Sequence, residues 1–232
     1  MKNIRLFAAI LSLAVLSGCA SRIVEMPDNY WEKESVETVV VAFVKPPQMS
    51  ASRYGAQGLL DVVINEAITD SVENHIETLN YEKLEGHQPR IAEILKAKGA
   101  KDVIILNKYF DVSDANELPE ADQKDGHFNY DLSKLREKHS ASHMLVIQVR
   151  NAGTVRNYYG FIPLGDPRGY VDGEVTLVRL SDNKIQMRNL VLVEIEIPDD
   201  VDWDDEENGY PAITKVVHSA LDEAGHQVGD LL

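Results

Sequence analysis

The chain alternates short apolar runs with amphipathic stretches, and the apolar period changes from one to the next. Val39 to Val44 is apolar at every position and stops at Pro46-Pro47, as expected of a central strand covered on both faces. From residue 54 to 79 the spacing becomes helical. Leu60, Ile64, Ile68, Val72 and Ile76 recur every four positions, and Val63, Ala67 and Leu79 widen the stripe. "PRIAEILKAKGA" predicts a second helix, with Pro89 near its start and Gly99 past its end. "DVIILNKYF" predicts a buried strand, and the polar, acidic residues 111–130 a loop. Asp131 suits an N-cap for the helix "LSKLREKH", and "HMLVIQVR" is the strand after it. "GEVTLVRL", the turn "SDNK" and "IQMRNLVLVEIEI" form a hairpin. Val191, Val193, Ile195 and Ile197 share one face of it, and Glu194 and Glu196 the other. After an acidic loop, "YPAITKVVHSALDEAG" closes the chain as an amphipathic helix capped by Gly225.

This order predicts an α/β (α+β) fold: a single mixed β-sheet covered by helices, with a C-terminal antiparallel hairpin and a closing helix. Residues 36–232 are expected to form one domain, without solenoid-type repeats. Residues 20–35 show no clean period and read as a tether, which fully extended at ~3.3 Å per residue reaches roughly 50 Å.

The first residues read as a targeting segment. Lys2 and Arg5 precede Leu6 to Leu16, an apolar run in which only Ser12 is polar. That is far short of the ~20 residues a membrane-spanning helix needs. The run ends in Leu16-Ser17-Gly18-Cys19, which resembles the lipobox of bacterial lipoproteins. The resemblance implies that residues 1–18 are a signal peptide, and that the new terminal Cys19 carries three acyl chains. Residues 19–35 would then be the acylated cysteine and its tether. Two or more chains anchor a protein stably to a membrane. This covalent lipid would be the only added group, with no other cofactor expected. Because Ala20 rather than Asp follows the cysteine, the enterobacterial sorting pattern points to the outer membrane, with the domain in the periplasm.

Charge narrows the partners. The net charge is −15 and becomes −17 once Lys2 and Arg5 are removed. Such a body is ill suited to nucleic acid, whose phosphates need Lys and Arg, and to lying flat on anionic lipid. Cys19 is the only cysteine, so disulfides contribute nothing to the fold.

The run from "LREKHSASHMLVIQVR" through "GYVDGEVTLVRLSDNKIQMR" is similar to a recurrent bacterial pattern: helix, small-residue turn, strand, then a hairpin whose second strand follows an Asp-containing turn. It resembles periplasmic lipoproteins sharing the TolB amino-terminal-type fold, which include the curli-secretion lipoprotein and the lipoprotein activators of penicillin-binding proteins. The resemblance covers roughly residues 36 to 228 and implies action through interfaces, without catalytic residues. Unlike the pore-forming relative, this chain has no pair of long alternating segments suited to a transmembrane hairpin.

Residues 151–172, "NAGTVRNYYGFIPLGDPRGYVD", read as a loop between two strands, far longer than the ~2–5 residues of an ordinary hairpin connection. Tyr158, Tyr159, Phe161, Ile162 and Tyr170 suit a docking surface, with Arg156 and Arg168 available to an acidic partner. The bland alternative has the aromatics capping the core, or 154–162 lengthening a strand. The acidic loop after Ile197 holds seven carboxylates between Asp199 and Glu207. Asp200, Asp202 and Asp204 resemble the opening of a calcium loop, but Asp205 and Pro211 stand where that motif needs Gly and Glu. They are weak metal candidates, and Trp203 would pin the loop or touch a partner. His139 and His143 are four apart, yet a turn between them would make them diverge. Glu194 and Glu196 fit the polar face of a hairpin better than an acid–base pair. No nucleophile elbow, phosphate loop or dinucleotide fingerprint is present, and Gly55 and Gly58 lack a phosphate-binding context. The expectation is a lipoprotein acting by protein–protein interaction in envelope assembly or maintenance, its partner an envelope protein or a second copy of the chain. The alternatives are a ligand- or divalent-ion-binding lipoprotein and a hydrolytic envelope enzyme.

Overall fold

The computed structural model describes residues 23–34, 36–56, 71–111 and 115–232. Cys19 and residues 57–70 of the predicted first helix lie outside the described residues.

Strand β1 (Thr38–Phe43) has no exposed side chain from Val39 to Ala42, because it runs inside a six-stranded mixed sheet. The other strands are β2 (Ser50–Ala56), β3 (Asp102–Ile105), β4 (His143–Tyr159), β5 (Ile162–Arg179) and β6 (Lys184–Ile195). Their order is β3-β1-β4-β5-β6, with β1 parallel to both neighbours and β4, β5 and β6 an antiparallel meander. This is an α+β fold. Alternation along β1 splits the interior in two. Val39, Val41 and Phe43 enter a large core under the helices, and Val40 and Ala42 a small one on the opposite face.

The helices are α1 (Tyr30–Lys33), α2 (described over 71–77), α3 (Glu82–Glu85), α4 (Gln88–Lys98), α5 (Ser133–His139) and α6 (Pro211–Asp230). Helix α6 lies across β4, β5 and β6. Its fully buried Ile213, Val217 and Leu221 each contribute about 1.5–3 kcal/mol relative to exposure. Pro89 and Gly99 bracket α4 as the sequence predicts, Gly99 ending it at φ 124°. The N-cap of α5 is Leu132 and not Asp131, which sits one residue earlier and accepts the Ser133 N–H at 2.9 Å. The small core is closed by α5 together with Phe110, Phe128 and Tyr130.

Five further expectations are corrected. Residues 54–56 are the end of strand β2, not the start of a helix. Pro46-Pro47 interrupts β1, but the chain then resumes along the same edge of β4, Phe43 pairing with Ile147 and Ser50 with Gly153. The strand predicted over 102–110 ends at Ile105, is only half-buried, and leaves a lone bridge between Phe110 and Val44. Residues 151–172 are not a loop: they complete β4, turn at Gly160-Phe161 and begin β5.

The supposed tether is docked. Val24 exchanges two backbone hydrogen bonds with Arg188 of β6 at 2.9 and 2.8 Å, and Tyr30 is buried with its hydroxyl 2.6 Å from Nε2 of His143. Finally, Gly225 is no cap, since α6 continues to Asp230. A Cβ there would lie 2.3 Å from the His87 ring. Gly225 is the notch that admits the ring.

Candidate partner-binding site: the tip of the β4–β5 hairpin

Gly160 makes the turn, but several of the other Gly and Pro residues that imitate a loop do something else here. Gly153 sits at φ 128° where β2 presses on β4, and Gly169 lets α6 approach β5 so closely that a Cβ would lie 2.3 Å from the Val216 carbonyl oxygen. Residues 165–167 bulge out of the ladder, because Val155 pairs with Arg168 but Asn157 with Leu164. Pro167 falls in that bulge, where no ladder N–H is needed.

Pairing with β6 ends at Gly169 and Ile195, so residues 156–168 project past β6. At this tip Tyr159, Phe161, Ile162 and Leu164 are exposed by 72%, 58%, 50% and 53%. Tyr159 stands opposite Ile162, and Asn157 opposite Leu164. Tyr159, Ile162 and Leu164 therefore share one face, with Phe161 in the turn at its end.

The other predicted contact residues are occupied within the chain. Tyr158 and Tyr170 are each only 5% exposed. The Tyr170 hydroxyl lies 3.2 Å from that of Tyr54, and burial, with that hydrogen bond second, raises its pKa. Arg156 donates through Nε to the Gly165 carbonyl at 2.8 Å and lays its guanidinium over the Trp203 ring at 4.8 Å. Nε of Arg168 sits 3.0 Å from Oε2 of Glu194, an ion pair off the hydrogen-bond axis. The expectation that both arginines await an acidic partner is corrected: the fold uses them to brace the hairpin. Apart from Gly165 and the Asp166 carboxylate, what remains exposed at the tip is apolar.

Trp203 pins the acidic loop against the hairpin and the large core. Asp200, Asp202 and Asp204 are exposed and do not converge as a ligand set among the described residues. Asp202 accepts the Asp204 N–H at 3.2 Å, and the Asp204 carboxyl is raised by its hydrogen bond with Asp202. Glu194 is taken by Arg168 while Glu196 is exposed. His143 is buried against Tyr30 and Ser142 at the start of β4, apart from His139 on α5.

The structure assembles one group that the sequence reasoning missed. Ligand atoms of His87, Asp222 and His226 all lie within 4.8 Å of one another. Part of the signal was present: His218, Asp222 and His226 are spaced by four along α6. The arrival of His87 depends on the Gly225 notch and is a tertiary event.

No helix of the described residues is long and apolar enough to cross a membrane. No family model and no curated protein matches the sequence. Among solved structures, the chain is similar to a PelC dodecamer from Paraburkholderia phytofirmans at 11% identity and TM-score 0.35, covering 88% of this chain and 93% of that one. A Xanthomonas campestris protein of the DUF330 family is similar at 13% identity and TM-score 0.36, covering 90% of each chain. A lipoprotein from Neisseria meningitidis is similar at 14% identity and TM-score 0.29, covering 68% of this chain and 82% of that one. Likenesses this distant assign no activity or partner to this chain.

Proposed function

We propose that this chain is a lipid-anchored protein of the bacterial envelope, held at the outer membrane with its domain in the periplasm, that works by binding another protein through the β4–β5 tip. The observation that carries this reading is the exposed apolar face of Tyr159, Ile162 and Leu164, ended by Phe161. Contiguous exposed apolar surface marks interaction sites. With Arg156 and Arg168 engaged internally, the surface fits an apolar face on the partner better than an acidic one.

The docked segment changes how such a protein would reach. Three residues lie between Cys19 and Ile23, so an acyl anchor is four residue steps, at most about 14 Å, from the body. Val24 meets Arg188, which is level with Thr176 and Val146 across the meander. From Val146 to Tyr159 the strand extends roughly 40 Å. Reach resides in a stiff hairpin instead of a flexible tether.

A photo-crosslinker at Ile162 is expected to give a discrete protein adduct in cells, and one at Glu206 in the acidic loop is not. Tyr159→Ser, Phe161→Ser and Leu164→Ser together are expected to remove that adduct. Because these side chains are exposed, each should shift stability by no more than about 0.5 kcal/mol. An adduct surviving the triple substitution would refute the tip as the binding site. Separately, Cys19→Ala is expected to move the protein from the membrane to the soluble periplasmic fraction. A wild-type chain already found in that soluble fraction would sink the anchor.

A further inference from the structure

We infer that His87, Asp222 and His226 form a site for a zinc-like divalent cation, bridging the start of α4 to α6. Asp222 and His226 are one helical turn apart on α6 and face the same way. Gly225 lies between them, and the His87 ring occupies the space its side chain would fill. His87 is thereby wedged against both. Its Nε2 is 2.9 Å from Oδ1 of Asp222, its ring centroid 4.7 Å from that of His226, and Nε2 of His226 is 3.8 Å from Oδ2 of Asp222.

The donor chemistry selects the ion. Two imidazoles and one carboxylate suit Zn²⁺ and not the all-oxygen shells of Ca²⁺ or Mg²⁺. Tetrahedral zinc with ligands at ~2.0–2.2 Å keeps ligand atoms about 3.4 Å apart. The cluster's imidazole–carboxylate separations, 2.9 Å from His87 to Oδ1 and 3.8 Å from His226 to Oδ2 of Asp222, bracket that value. A fourth position is open on the Asp222 side, where a depression of about 560 Å³ is lined by Lys83, Thr214, Lys215, His218 and Asp222. Water or a carboxylate from a ligand fits there.

Arg90 makes the site conditional. Its guanidinium donates to Nδ1 of His226, which places the His226 proton on Nε2, the atom facing Asp222. His87 likewise spends its Nε2 proton on the Asp222 carboxylate when neutral. For the ion to bind, both rings shift that proton to Nδ1, so neutral histidines need release none. Arg90 must then leave His226, and Asp230, already 3.7 Å from its other nitrogen, is in place to receive it. Arg90 therefore competes with the cation.

The test is calorimetric titration of ZnCl₂ into the full chain, purified in detergent and stripped with chelator. One ion per chain is expected, with affinity falling tenfold or more in Asp222→Asn and in His226→Gln. Arg90→Ala should bind more tightly than wild type, a result no adventitious surface site would give. Asp202→Asn with Asp204→Asn should bind as wild type does. Cobalt loaded in place of zinc should show the intense visible absorption of a tetrahedral centre and lose it in His226→Gln. Circular dichroism identifies any variant that fails to fold, and Arg90→Ala, at a half-exposed arginine, keeps the claim testable if the ligand variants do. Absence of zinc binding to wild type, or binding lost with Asp202 and Asp204 but retained in Asp222→Asn, overturns the assignment.

Discussion

Lowering the pH from 6.5 to 4 is expected to cost the folded protein about 3 kcal/mol through His143 alone. The residue opens β4 almost fully buried, and that burial pulls its pKa down from 6.5 to about 4. Glu34 and Asp182 nearby push the other way and Arg179 adds to the depression, but desolvation dominates. The hydrogen bonds agree with a neutral ring. Ser142 Oγ takes the Glu37 N–H at 3.1 Å and lies 3.1 Å from the Thr38 carbonyl, to which its own proton goes. It therefore accepts from Nδ1 of His143 at 2.9 Å, leaving Nε2 to accept the Tyr30 hydroxyl at 2.6 Å. A proton added at Nε2 would force the Tyr30 hydroxyl to turn from donor to acceptor and would place a charge where burial disfavours it, at the link holding the N-terminal segment to the sheet.

The sign follows from which state binds protons. Below pH 6.5 the unfolded chain protonates this histidine while the folded chain does not. Stability therefore falls with falling pH until about pH 4, where the folded state protonates too. His75, also depressed by burial, acts in the same direction. Asp131, Asp182 and Asp222, held below their usual range by hydrogen bonds, lose their contributions only further into acid. Urea midpoints of wild type and His143→Asn between pH 7 and 4.5 separate these effects. The variant should be less stable at pH 7 and show a flatter dependence between pH 6.5 and 5. Parallel curves would mean that His143 is not the group responsible.

How much of this was legible in the sequence depended on whether the signal was local. The run from Val39 to Val44 announced a covered strand, and the strand is covered, because an apolar residue on both faces has few other places to go. The hairpin around "SDNK" was local too, and Asn183 turns there at φ 58°. Residues 151–172 misled because Gly153, Gly160, Gly165, Gly169, Pro163 and Pro167 normally punctuate loops. Neighbours explain two of them, since β2 presses on Gly153 and α6 on Gly169, while Gly160 does turn the chain. Of the expected contact residues, Tyr159, Phe161 and Ile162 lie at the exposed tip, and Tyr158 and Tyr170 are buried. Alternation within β4 would have divided Tyr158 from Tyr159, had the strand been recognised. Residues 23–34 misled for the opposite reason: their packing depends on one bridge to β6 and one buried tyrosine, which leave no period. Gly225 had the composition of a cap and the position of a notch, and only the His87 ring distinguishes the two.

Gly153→Ala should be the more damaging single change, at about 3–5 kcal/mol, because two penalties fall on one atom. The backbone sits at φ 128°, where a non-glycine residue is strained by about 1–3 kcal/mol. The new Cβ would also lie 2.2 Å from the carbonyl oxygen of Ser50 and 2.9 Å from its nitrogen. These are backbone atoms of the strand that pairs with β4 from Gly153 to Tyr159, so no side-chain rotation relieves the clash. The third neighbour, Cγ2 of the fully buried Ile76 at 3.1 Å, closes the remaining direction. Gly165→Ala is the matched control, since Gly165 has φ 84° but nothing within 4 Å of its Cβ position. It should show backbone strain alone, and the difference between the two urea midpoints is then the steric cost. Displacing β2 also removes the strand flanking Tyr158 and Tyr159, so the Ile162 adduct should weaken in Gly153→Ala even where the protein remains folded. If Gly153→Ala is no less stable than Gly165→Ala, β2 yields easily and cannot be what stiffens the hairpin. If it is much less stable and the adduct fades with it, the tip depends on β2, and the glycine that made the segment look like a loop is what allows it to be a strand.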